Sequence, residues 1–196
     1  MDDSPTTEKR VRGRPREARV EGDVFDAVFE LVAESGLGAV TMDAVSVRAG
    51  VSKPALYRRW PGKQELLLAA AESRLGPLSV PDLGDFRAEL RMVLRARLVA
   101  YALPGSARLF AGLIAAAAEA DEERPAYSAY LARTTAQTRE ILERGIRRGE
   151  VRADLDVGAA VTVIASSLLM RVVIEGLPPD EGFAESVLDL VVRAAT

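Results

Sequence analysis

A chain of 196 residues, 48% hydrophobic and 28% charged, suits one domain, or a small domain fused to a larger one, with a sizeable buried core. It contains no cysteine and no histidine, which excludes disulfide frameworks, thiolate zinc sites and cysteine nucleophiles and removes the commonest general base. The net charge of −3 conceals two basic islands: Lys9, Arg10, Arg12, Arg14, Arg16 and Arg19 with Glu17 alone among them, and Arg48, Lys53, Arg58, Arg59 and Lys63 with no acid between. Such islands mark either a local polyanion contact or ordinary solvated surface. No metal or cofactor is expected.

Residues 1–16 read as a disordered basic arm. The first twenty residues lack the apolar run of a signal peptide, so a cytoplasmic protein is expected. A first helix is predicted over about 17–34, with Val24, Phe25, Val28, Leu31 and Val32 at helical spacing and Gly36 ending it. Thr41 is placed to cap a short helix that carries Asp43 in its first turn and ends near Gly50. Ser52 is placed to cap the next, which tolerates Pro54 early and stops at Pro61-Gly62. A fourth runs over 63–75, with Leu66, Leu67, Ala70 and Leu75 inward. After a connector at 76–84, further helices are predicted at about 85–102, 106–119, 125–149, 156–175 and 181–195.

The β-branched run Val161–Ile164 would suit a strand in isolation, but it lies inside a long apolar segment, and length favours helix. That segment, Val157–Ile174, contains Thr162, Ser166, Ser167 and Arg171 and falls short of the roughly 20 apolar residues a membrane span needs. A buried or interfacial helix is expected instead. The reading is all-α, about nine helices, with no membrane partner.

Two short helices joined by Ala49-Gly50-Val51 suit a helix-turn-helix, which needs a tight turn, small residues at the crossing and a basic outer face. Ala44, Val45, Ala49, Val51 and Leu56 supply packing; Lys53, Tyr57, Arg58 and Arg59 supply the face. On pattern alone, an αα-corner with exposed arginines fits too. The run from Thr41 to Leu67, TMDAVSVRAGVSKPALYRRWPGKQELL, resembles the DNA-binding segment of TetR-family transcriptional regulators. The match lies in Thr41, Ala49-Gly50-Val51-Ser52, Tyr57, Trp60, Lys63, Glu65 and Leu66, and it covers about residues 20–75.

The resemblance implies a three-helix DNA-binding domain over 17–63 and a larger effector-binding and dimerisation domain over 64–196. It makes Ser52–Trp60 the recognition helix, with Lys53, Pro54 and Tyr57 toward the major groove. Thr41, Tyr57, Arg58 and Lys63 become phosphate contacts, and Ser52, Ala55 and Arg59 belong to the same face. Pro54-Ala55 departs from the Thr or Gly that family members often carry there, which removes an N–H and a hydroxyl. Thymine-methyl contact remains, and base readout falls to Lys53 or Arg58. Arg12-Gly13-Arg14-Pro15-Arg16 resembles an AT-hook, a slim strip for an A·T-rich minor groove; the alternative is a basic tail with phosphate affinity only.

A dimer is expected, because half-sites related by two-fold symmetry need a two-fold protein. Val161, Ile164, Ala165, Leu168, Leu169 and Val172, with Val187, Leu188 and Val191, are expected at its interface; an intramolecular core is the alternative. Tyr101, Phe110, Leu113, Tyr127, Tyr130, Leu131, Thr134 and Thr138 suit either a pocket for an apolar or aromatic effector or plain core. Ala115–Ala118 fits a cavity or close helix packing equally well. The function expected is a homodimeric repressor released from a palindromic operator by such a ligand. A regulator without an effector, controlled by a protein partner, is the alternative. An enzyme built on Glu119, Asp121, Glu122 and Glu123 is remote, since an exposed charged turn explains that cluster.

Overall fold

A computed structural model describes residues 14–76, 78–119, 124–178 and 180–196. Among them the chain forms nine α-helices and no strand: α1 (Arg14–Ser35), α2 (Met42–Arg48), α3 (Lys53–Arg59), α4 (Lys63–Leu75), α5 (Phe86–Ala102), α6 (Ser106–Glu119), α7 (Arg124–Arg148), α8 (Val157–Val173) and α9 (Glu181–Ala195). A single 3-10 turn, Leu37–Ala39, lies between α1 and α2. No single helix among the described residues is long and apolar enough to cross a membrane.

The helix starts follow from side-chain capping. The oxygens of Thr41, Asp85, Asp156 and Asp180 accept from the amides of Ala44, Ala88, Ala159 and Phe183 at 2.8–3.0 Å, each satisfying a donor the helix leaves open. Ser52 differs. It sits at the N-cap of α3 but makes no side-chain cap bond. Pro54 has no N–H to offer, and the Ala55 amide is already bonded to the Ser52 carbonyl at 3.0 Å. A second difference is at the start of α1, which begins at Arg14 rather than near Glu17. Arg14, Pro15 and Arg16 are therefore helical instead of part of an extended strip, while Arg12 and the rest of the arm lie outside the described residues.

Helices α1–α3 form a head around Val24, Val28, Val32, Val45 and Leu56, all fully buried. Trp60 closes it against Phe25, ring centroids 5.5 Å apart. In the larger part, α5 runs through the middle and packs on α7 and α9, burying Phe86, Leu90, Leu94, Ile141, Leu142 and Leu188. Helix α6 reaches back to the head. A Cβ on Gly105 would lie 2.7 Å from the Phe29 carbonyl oxygen, and Arg108 Nη1 donates to the Ala33 carbonyl at 2.6 Å, so the α5–α6 corner sits against the last turns of α1.

One charged cluster is built into this packing. Glu89 on α5 is fully buried; it accepts from the Leu83 amide at 2.9 Å and from Arg144 at 3.0 Å, with Arg148 3.3 Å away. The sequence pattern hides it, because Glu89 occupies a core position that an apolar residue would normally fill.

The residues expected at a dimer interface pack inside the single chain. Val161, Ile164, Leu168, Val172, Val187, Leu188 and Val191 are buried within the single chain, and Ala165 and Leu169 are half-buried beside a cavity. They form intramolecular core because α8 and α9 already cover one another and pack on α5 and, for α8, on α7. The apolar residues these two helices leave exposed are others: Val163 at 51%, Met170 at 53% and Leu190 at 65%.

Candidate nucleic-acid interface and ligand cavity

The turn between α2 and α3 is set by hydrogen bonds that close the end of α2. The Val51 amide donates to the Ser46 carbonyl at 3.0 Å and the Gly50 amide to Val47 at 3.3 Å, a Schellman arrangement. Gly50 has φ +64°, the left-handed region that glycine enters without penalty. The chain is thereby turned so that Leu56 is buried and Ser52, Lys53, Pro54, Tyr57 and Arg58 stand exposed on one face of α3. Thr41 is exposed at the start of α2, and Val47, 81% exposed, lies just before the turn. Val47 was legible only as a break in amphipathicity, an apolar residue on a helix too short to show a period.

Not every expected residue joins this face. Ala55 is half-buried. Arg59 is directed toward Glu21 of α1, 3.6 Å away, and Lys63 Nζ donates to the Leu37 carbonyl at 3.1 Å. Arg14 and Arg16 are placed by backbone alone, in the first turn of α1.

The basic island is also more neutral than its count of cations suggests. Arg48 clamps α2 to α1 through Glu30 at 3.1 Å and Glu34 at 2.8 Å. Those hydrogen bonds hold the Glu34 carboxyl below its ordinary pKa and raise that of Arg48. Lys53 pairs with Asp43 across the turn at 2.7 Å, both side chains being more than half exposed. Arg58 makes no ion pair with any described residue.

A cavity of about 570 Å³ opens between α5, α6, α7 and α8, with Leu75 of α4 among its lining residues. It brings together Tyr101, Phe110, Leu113, Tyr127, Tyr130, Leu131, Thr134 and Thr138, together with Arg97, Arg139 and part of α8. Tyr101 meets Phe110 edge to face, centroids 5.2 Å apart. Burial pushes the phenols of Tyr101 and Tyr130 above their ordinary pKa, so both stay neutral donors near neutral pH. Ala117 lines the cavity, which places the alanine run beside open space. No group of acidic or other residues suited to a metal ion occurs among the described residues. Of the acidic cluster considered for catalysis, Asp121, Glu122 and Glu123 lie outside the described residues.

An exposed recognition helix on a small head, joined to a larger helical body with a ligand-sized cavity, defines the class of helix-turn-helix regulators. Residues 24–70 match the family model "Bacterial regulatory proteins, tetR family", and 80–191 match "Tetracyclin repressor-like, C-terminal domain". The chain is 30% identical over 189 residues to the HTH-type transcriptional regulator YdeS of Bacillus subtilis (strain 168), covering 93% of this chain and 91% of that one. It is 29% identical over 182 residues to the DNA-binding transcriptional repressor TetR of Mycobacteroides abscessus, covering 91% and 92%. Among solved structures, the transcriptional regulator FadR of Bacillus subtilis in complex with stearoyl-CoA superposes with a TM-score of 0.65 at 20% identity, over 89% of this chain and 99% of that one. The chain belongs to the TetR family and is a DNA-binding transcriptional regulator.

Proposed function

We propose that the protein is a homodimeric, cytoplasmic repressor that leaves a palindromic operator when a small, largely apolar ligand enters the cavity between α5 and α8. The observation that carries this reading is the span of α4. Its first residue, Lys63, is bonded to the head at Leu37, and its last, Leu75, lines the cavity. A ligand that displaces Leu75 therefore acts on the recognition helix through one short rigid element. Only a ligand with different affinities for the two head positions can shift operator binding. A regulator of this fold being solved with stearoyl-CoA supports the cavity as a ligand site.

On the head, Ser52, Lys53, Pro54, Tyr57 and Arg58 enter the major groove, with Thr41 on phosphate; the uncapped Ser52 hydroxyl is available as a further donor. Arg58 carries the base readout, while Lys63 and Arg59 brace the head. Arg12, Arg14 and Arg16 add phosphate affinity, the helical start at Arg14 arguing against an extended minor-groove strip. The second copy covers Val163, Met170 and Leu190 on α8 and α9, which sets the two recognition helices about one turn of DNA apart, or a multiple of it.

Selection of bound fragments from random DNA at two salt concentrations tests the reading. A palindrome that persists at the higher salt is expected; sequence-blind binding that disappears with salt would mean phosphate contact alone. Asp43→Ala is expected to tighten operator binding about fivefold at low salt, since it removes a charge of roughly 1 kcal/mol at contact distance in water and frees Lys53. Fluorescence anisotropy with labelled operator measures this, and unchanged or weaker binding would show that Lys53 is not held back by Asp43.

A further inference from the structure

Among the described residues the wall of the cavity carries two guanidinium groups, Arg97 and Arg139, and no carboxylate, although the protein as a whole is acidic. Arg139 is exposed at the rim, whereas Arg97 is half-buried and lies close to Tyr101 and Tyr130. Arg97 Nη1 donates to the Leu75 carbonyl at 2.6 Å and Nη2 to the Thr134 carbonyl. A guanidinium has five N–H donors, so these two bonds leave part of the fork unused. Several half-buried arginines elsewhere are neutralised, Arg91 by Glu185, Arg148 by Asp82 and Glu150, Arg171 by Asp180, while Arg74 has no ion pair among the described residues but lies over the Phe29 ring, 3.8 Å from its centroid. No described carboxylate pairs with Arg97, and desolvation pulls its pKa down. A partly buried cation facing an apolar cavity without an anion is costly unless something negative arrives.

We propose that the effector is an amphipathic anion whose carboxylate-like head seats on Arg97, beside the phenols of Tyr101 and Tyr130, with its apolar body against Phe110, Leu113 and Leu169. This deepens the reading of the cavity as the effector site and rests on it. The planar guanidinium matches a carboxylate in shape as well as charge. The head also competes for the N–H that Arg97 gives to Leu75, and so loosens the last turn of α4.

The test uses full-length protein and the neutral fluorophore N-phenylnaphthylamine as reporter of cavity occupancy. Biphenyl carboxylate and its isosteric carboxamide, which differ in the charge of the head, are titrated in as competitors. The carboxylate is expected to displace the reporter at about tenfold lower concentration than the amide, the advantage of a charge-assisted pair. Arg97→Met is expected to bring that ratio close to one, whatever its effect on the reporter itself; Arg97→Lys keeps part of the preference. A wild-type ratio near one, or a ratio that survives Arg97→Met, overturns the proposal. If Arg97→Met fails to fold, the wild-type ratio and Arg97→Lys decide. Failure of the cavity reading itself looks different: the reporter then binds the Ala117→Trp variant, whose cavity is filled, as well as it binds wild type.

Discussion

Glu89→Ala is expected to destabilise the protein by about 3–5 kcal/mol, the range for breaking a buried ion pair by removing one partner. Glu89 has no exposed surface, and its two oxygens serve the Leu83 amide, Arg144 and Arg148. Alanine would leave the Arg144 guanidinium, whose side chain is 10% exposed and whose Nε already lacks a partner, with only the Val80 carbonyl and the solvated Glu140 carboxylate, 3.5 Å away. Replacing both members by apolar residues of similar volume, Glu89→Leu with Arg144→Met, should recover most of the loss, because the desolvation cost then disappears with the charge. Urea denaturation at fixed protein concentration measures both variants; fixed concentration matters because association contributes to apparent stability. A loss under about 1 kcal/mol for Glu89→Ala would show the cluster to be solvated in solution.

The second large effect is expected at the corner between α5 and α6. Gly105 has φ +79°, and a Cβ there would lie 2.7 Å from the Phe29 carbonyl oxygen of α1, closer than real side chains approach backbone. Gly105→Ala should therefore combine left-handed strain of about 1–2 kcal/mol with a displacement of the head from α6. Gly149 is the matched control: φ is +76° and a Cβ would meet nothing within 4 Å. Gly149→Ala shows the strain alone, and the difference between the two melting temperatures reports the head contact. The same variant should bind reporter normally in the cavity yet respond poorly at the operator. Equal melting shifts for the two variants would mean that α1 yields freely and the corner transmits nothing.

Much of this architecture is legible in the sequence because its punctuation is chemical. Thr41, Asp85, Asp156 and Asp180 are side chains that cap, and Gly50 and Gly36 are residues that end helices, so the helix bounds follow closely. Inward placement was legible along single helices, as for Tyr130, Thr134 and Thr138 on α7, but whether those faces meet as a cavity or as plain core depends on how α5, α6, α7 and α8 pack. What periodicity does not say is who covers a face. Val161, Leu168 and Leu188 are apolar at the right spacing for a dimer seam, yet their own chain buries them. The exposed Val163 and Leu190 fall on the opposite sides of the same helices. Pairing was equally invisible. Lys53 and Asp43, or Arg48 and Glu34, are too far apart in sequence for local spacing to join them, and only the crossing of α1, α2 and α3 makes them neighbours.

Those pairings bear on how the protein finds its site. Arg48, Lys53 and Arg59 reach DNA already matched to carboxylates of their own head, inside a molecule of net charge −3. The far field that a polyanion feels from the folded head is thus weak or repulsive, and, on the major-groove reading proposed above, attraction there sets in only at contact, when base edges replace Asp43 as the partner of Lys53. Encounter then lacks long-range steering, and association belongs near the unassisted 10⁵–10⁶ M⁻¹s⁻¹, orders of magnitude below the roughly 10⁸ M⁻¹s⁻¹ that complementary charge makes possible. Sliding along arbitrary sequence is brief for the same reason, so residence time at the operator, more than speed of search, governs how completely this regulator occupies its site.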